Sequence, residues 1–391
     1  MDNSSEFAEF LGRYLLANPK SSLTPWFPTV IAVIAKNNRN LAIEFIKNGI
    51  EKNDNTLTRC VTLALSRSLY SFPVVDEEIE VIKQLAHYKD PWVRHTIVRS
   101  VKRFSIEKKY IALHILLSID FSCSKEIADE VLGEFEEKNG TFKTEDLSNN
   151  QLQQLLASLV KCPSIDDYNI CLFLRKTSFS HPGLTIKLLM DRVKYKETNQ
   201  KLKDYDPLPF LWEKSVSLRF YETAQYEDIL RTVRNWVAEK TDNWISFHYR
   251  SNLFKLISAG FDRVTLKVLE EWVISSDQLE LETAASLLSE AERTFIWDNQ
   301  QYVINILERA QKFGSTCYKK VFSSLYASVI QGGRSRTPGQ PFPENVEQRN
   351  RSQEIMLTLP VGSPAYKFYK TLYENAIANI ARDTLEDSEL E

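Results

Sequence analysis

Five histidines, His87, His95, His114, His181 and His248, are the side chains best suited to ligate a transition metal or move a proton near neutral pH. None falls in an H-x-x-x-H or H-E-x-x-H spacing, so no helix face pairs two of them for a metal. His87 and His95 flank one short break and read as surface or capping residues. The five cysteines, Cys60, Cys123, Cys162, Cys171 and Cys317, include no C-x-x-C pair. That odd, scattered set argues against a zinc ribbon or a disulfide framework and fits small buried hydrophobes. A nucleophile elbow, a Walker loop and a dinucleotide fingerprint are all missing from the sequence. Gly332-Gly333-Arg334-Ser335-Arg336 has loop glycines and cations but lacks the Lys-Ser/Thr step and the preceding strand of a phosphate cradle. Adjacent carboxylates such as Glu77-Glu78, Asp166-Asp167 and Glu270-Glu271 point different ways around a helix and read as solvated charge. No catalytic, cofactor or metal residues are assigned, and the chain is expected not to be an enzyme.

Two features remain as candidates for binding. Arg94, Arg99, Lys102, Arg103, Lys108 and Lys109 crowd one stretch with only Glu107 against them, enough for a positive ridge able to hold phosphates or an acidic partner. The bland reading is ordinary solvated helix faces. Trp92 and Trp244 stand at matching places, each two residues after an aspartate that opens a helix, with Arg250 further along the second. Such indoles either pack between neighbouring helices or rim a ligand surface.

The elements that must position these residues are helices. Hydrophobic residues make up 43% and charged residues 26% of the 391, as in a folded globular chain. Glycine, at 11, is below half its usual frequency of about 7%, which disfavours strand-and-turn architectures. Apolar residues return at three and four, as in Leu41, Ala42, Phe45, Ile46 and Ile50. Asp54, Asp90 and Ser124 each open such a pattern, 36 and 34 residues apart, and Asp242 and Asp277 do so 35 apart. Partner helices lie between them, at Glu77–His87, Glu107–Ser118 and Arg263–Ser275. A fixed period of helix pairs predicts an α-solenoid, each pair burying its face against its neighbours.

The segment Lys83–Phe104 resembles the HEAT repeat. It carries that family's Asp-Pro-x-Val-Arg turn at Asp90, Pro91, Val93 and Arg94, followed by Ile97, Val98 and Val101. The cap at Asp90 and proline at the first helical position make physical sense of the turn. The resemblance implies a right-handed all-α solenoid of HEAT-like pairs and an arginine at Arg94 that bonds within or between repeats, although the period of about 35 residues read from the spacing is shorter than the ~40–47 of long HEAT and armadillo units. The unit at Asp242 departs from the pattern, having Ser246 where the arginine belongs. At fold level alone the chain also resembles the HEAT-like alkylpurine DNA glycosylases, but no Trp-Asp active-site set aligns.

The expected division is N-terminal repeats over 1–140, irregular helical repeats or an insertion over 141–224, C-terminal repeats over 225–330, a linker over 331–343, and capping helices with an acidic tail over 344–391. Helices are predicted at Asn149–Lys161, Ile165–Lys176 and Pro182–Lys194, then a polar loop over Lys196–Pro209. The final helix should start at Ser363-Pro364 and dock through Phe368, Leu372, Tyr373 and Ile377. The acidic, polar start does not read as a signal peptide, and no run of about 18 apolar residues occurs. The triplets at Asn3, Asn139 and Asn350 mean little without a secretory route. The chain is thus expected in the cytoplasm, off the membrane, as a scaffold or adaptor presenting a helical surface to a protein partner. The alternative is a nucleic-acid-binding solenoid using the Arg94–Lys109 ridge, although a formal charge of −3 takes weight from that class.

Overall fold

The structure, a computed structural model, describes residues 3–71, 74–101, 108–122, 124–135, 140–210, 217–239, 244–330 and 340–388. Side chains of 3, 68–71, 244 and 384–388 also lie outside that description, as do Lys102, Arg103, the cap expected at Asp242 and the linker glycines and arginines. The described residues are helices and connecting turns, with no strand among them.

Local chemistry sets where many helices begin. The carboxylate of Asp54 accepts from the Leu57 N–H at 2.9 Å, that of Asp90 from Trp92 N–H at 2.9 Å and that of Asp277 from Leu279 N–H at 2.7 Å. Ser124 accepts more weakly from Ile127 N–H at 3.4 Å. Each satisfies an orphan donor of a first turn, as the spacing of these residues predicts.

The chain divides into two units, Met1–Arg219 and Phe220–Glu391. The first holds α1 (Asn3–Ala17), α2 (Phe27–Asn37), α3 (Arg39–Glu51), α4 (Asn55–Ser71), α5 (Asp76–Ala86), α6 (Pro91–Val101), α7 (Lys109–Ser118), α8 (Lys125–Gly133), α9 (Asn149–Leu159), α10 (Tyr168–Ser180) and α11 (Pro182–Thr198). Contacts run in two rows. Helices α2, α4, α6, α8 and α10 each touch the next in one row, and α1, α3, α5, α7, α9 and α11 do so in the other. Pairs such as α1 with α2, α5 with α6 and α10 with α11 join the rows. The apolar stripes meet between them: Ile82, Leu85, Val93, Ile97, Ile115, Leu116, Val131 and Leu155 are all buried. The two rows continue through α9, α10 and α11, where the sequence loses its clear period.

The second unit holds α12 (Tyr226–Ala238), α13 (Trp244–Ile257), α14 (Arg263–Val273), α15 (Gln278–Leu288), α16 (Phe295–Asp298), α17 (Gln300–Phe313), α18 (Ser315–Val329), α19 (Pro343–Met356) and α20 (Pro364–Ser388). Here α12, α14, α17 and α20 form one succession and α13, α15 and α18 the other. The turn between α13 and α14 passes through three left-handed residues, Ala259 (φ 46°), Gly260 (74°) and Phe261 (61°). Phe261 is buried there between Phe254 and Phe295, with ring centroids 6.3 and 6.2 Å away.

Ser363 caps α20 through Tyr366 N–H at 3.1 Å, and Phe368 and Leu372 are buried as expected. Ile377 is not: it is 42% exposed, and Ala376 takes the inward position beside it. Tyr369, fully buried, donates its hydroxyl to Ile296 O at 2.6 Å. No helix among the described residues is long and apolar enough to cross a membrane.

Candidate interaction surface

The predicted ridge is best followed from α4 to α8. Asp90, almost wholly buried, sits at the start of α6 and receives Arg59 of α4 through both oxygens, at 2.6 and 3.1 Å. Burial works to raise the Asp90 carboxyl. Arg59, the Trp92 N–H and the Val93 N–H outweigh it and hold the group below the usual carboxylate range. Above this knot lies Trp92, 40% exposed, with the Arg59 guanidinium 5.8 Å from its ring centroid. Asp90 thus caps one helix and ties it to the previous helix of its row.

The remaining cations are engaged in the same way. Arg94 is buried rather than displayed, correcting its place on a binding ridge. It donates to Asp120 O at 2.6 Å, to the Asp120 carboxylate at 3.3 Å and to Lys89 O at 3.2 Å. The Asp120 side chain is itself 57% exposed, so the buried guanidinium reaches outward from the packing to the turn after α7 rather than standing on a ridge. Arg99 donates to Glu130 of α8 at 2.8 Å, and His95 Nε2 lies 2.6 Å from the other Glu130 oxygen. Lys108 reaches Asp76 at 3.1 Å. Lys109 reaches Asp146 at 3.4 Å while standing 5.4 Å over the Phe142 ring. Every described cation of the ridge therefore has a carboxylate partner, and the strip is mixed in charge. Lys102 and Arg103 lie outside the described residues.

Trp244 opens α13, with its side chain outside the described residues, so the structure does not compare it with Trp92. Arg250 is buried, a second correction. It donates to Trp236 O at 2.8 Å, packs 4.6 Å from the Trp236 ring and approaches Glu239 at 3.7 Å. The carbonyl it satisfies is near the end of α12, a negative helix terminus.

What the sequence reading missed is the other half of each pair. Arg39 and Glu78 (39 residues apart), Arg59 and Asp90 (31), Arg231 and Glu271 (40) and Lys320 and Glu282 (38) join helices about one predicted period apart. A search for opposite charges at that separation would have found them. It would not have found Arg192, which is fully buried and aimed at the carbonyls of Leu159, Cys162, Asp206 and Pro207. Nor did the period single out Phe7, Phe10 and Tyr14 of α1, which are 64%, 68% and 43% exposed. Their signal is that α1 is apolar on two sides, one more than an amphipathic helix needs.

No family model matches the chain, and no curated protein matches it. Among solved structures six chains match. One is from the work on Kap95p binding to RanGDP and the assembly of the nuclear import complex. It aligns at 13% identity over 92% of this chain and 46% of that one, with a TM-score of 0.31. The chain thus spans just under half the length of that structure, and a likeness this low assigns neither family nor partner.

Proposed function

We propose that the chain is a non-catalytic HEAT-like scaffold that binds a protein partner in the cytoplasm. The observation that carries this reading is the pairing of Arg94, Arg99, Lys108 and Lys109 with Asp120, Glu130, Asp76 and Asp146. A phosphate-binding ridge needs cations free to replace counterions around a nucleic acid. Here the same cations hold neighbouring helices, and what faces solvent around Trp92 is an aromatic ring among charges of both signs, suited to a protein surface. Cys60, Cys162, Cys171 and Cys317 carry free thiols, in keeping with a reducing compartment. Ties between residues 31 to 42 apart support the repeat period of about 35. The docking of α20 against α17, with α19 packed on α20, supports their role as a cap.

The test is an affinity pull-down of the intact chain with and without nuclease, beside the variant Arg99→Glu/Lys102→Glu/Arg103→Glu. A protein partner that survives nuclease, with nucleic-acid retention at moderate salt the same in both chains, is the expected result. Retention that disappears in the variant, with every partner lost after nuclease, would transfer the function to nucleic-acid binding.

A further inference from the structure

Among the described residues of the first unit, α1 carries three exposed aromatic rings, Phe7, Phe10 and Tyr14, more than any other helix. Ala8 and Leu15 are buried, and Gly12 lies so close to Phe45 of α3 that an added Cβ would stand 2.6 Å from its ring. That close seat fixes which side of α1 faces inward and turns Phe7, Phe10 and Tyr14 outward. At 3.6 residues per turn, Phe7 and Tyr14 fall about 60° and about 40° to one side of Phe10. Glu6 and Arg13 fall about 40° and about 60° to the other side. Both charges are exposed, and neither is paired within the chain among the described residues. The face is therefore an aromatic stripe with one charged edge, carrying an acid before Phe10 and a base after it.

We infer that this face binds a second copy of the chain, α1 against α1 and antiparallel, about a twofold axis close to Phe10. A twofold that reverses the helix direction keeps the charged edge on the same side in both copies. Glu6 of one copy then meets Arg13 of the other, and the reverse pair forms about 10 Å away along the helix. The two Phe10 rings meet at the axis, and Phe7 of each copy reaches Tyr14 of the other. A face with two like charges on that edge would repel its own copy; an acid and a base set on either side of Phe10 complement themselves. The three rings expose on the order of 400 Å² per copy. With their flanks they approach the ~1,000 Å² of a small specific interface, so association in the micromolar range is expected.

Sedimentation of the full chain from about 1 to 100 µM tests this. The wild-type chain should form a dimer in that range. Phe10→Glu should remain monomeric with unchanged helical circular dichroism and thermal midpoint. Arg13→Glu should weaken association by about tenfold or more, by setting two carboxylates opposite each other twice. Glu6→Arg/Arg13→Glu, which restores the pairing with its sign reversed, should recover wild-type association. A wild-type monomer throughout the range overturns the inference, as does a dimer that Phe10→Glu leaves intact. A double variant no better than Arg13→Glu overturns the antiparallel pairing. A monomeric chain that instead uses this face to capture a different protein overturns the second copy as its occupant.

Discussion

Asp90 does three things with one carboxylate: it caps α6, receives Arg59 and so fastens α4 to α6. Asp90→Ala should lower stability by about 2 kcal/mol, a lost cap plus a lost charged hydrogen-bond pair. Asp90→Asn keeps an acceptor for the Trp92 N–H and should cost about half as much, read as the shift of the urea midpoint at constant slope. The two variants also separate in pH. The folded state holds the Asp90 carboxyl below its ordinary value. Its contribution is therefore present above the unfolded value of about 3.9 and is lost as pH falls through the folded one. Relative to wild type, Asp90→Asn should lose least at the acid end, the gap between them closing as pH drops below about 4. A gap independent of pH would mean that Arg59 and the helix N–H groups do no more than offset the burial of the carboxylate.

Arg192 fixes a whole element from a single side chain. Its guanidinium faces four backbone carbonyls and stacks on Tyr205 at 4.7 Å, while the Tyr205 hydroxyl reaches Val160 O at 2.5 Å. Together they clamp 199–210, which has no regular structure, to the ends of α9 and α11. Arg192→Met leaves those acceptors unanswered in the interior and should cost about 3 kcal/mol or more. Limited trypsin digestion should then cut faster at Lys201 and Lys203, which are exposed in the wild type but held in a clamped segment. In the turn at Ala259, a side chain in left-handed backbone costs about 1 kcal/mol, so Ala259→Gly should raise the thermal midpoint by a few degrees. Helix starts were legible in the sequence because a cap is a local event: Asp54, Asp90 and Asp277 announce themselves within three residues. The clamp and the left-handed turn were not, because Arg192 answers carbonyls up to 33 residues away and Phe261 is held in its backbone conformation by burial. The candidate site was half legible for the same reason. The cations stood together in sequence, whereas the carboxylates that neutralise them arrive from other helices.

At the scale of the molecule, each helix of the first unit touches the next in its row, and pairs such as α5 with α6 join the rows, so damage should stay local. Leu116→Ala in α7, a fully buried site, should cost about 2–5 kcal/mol. Hydrogen exchange should show that loss in α5 to α9, with α2 and α3 left near wild type; a uniform loss of protection would mean that the unit opens as one body. The ties between helices of a row have a mechanical meaning as well. Arg59 and Arg99 leave more than half of their side-chain surface in water, so their bonds to Asp90 and Glu130 are screened by salt. The apolar packing between the rows is not. Arg39 of α3 and Glu78 of α5 tie the other row, so bending either way stretches bonds whose restoring force depends on the ionic medium, while the close-packed interior between the rows resists independently of it. The stiffness of unit 1 therefore has two parts, and only one of them is tuned by salt.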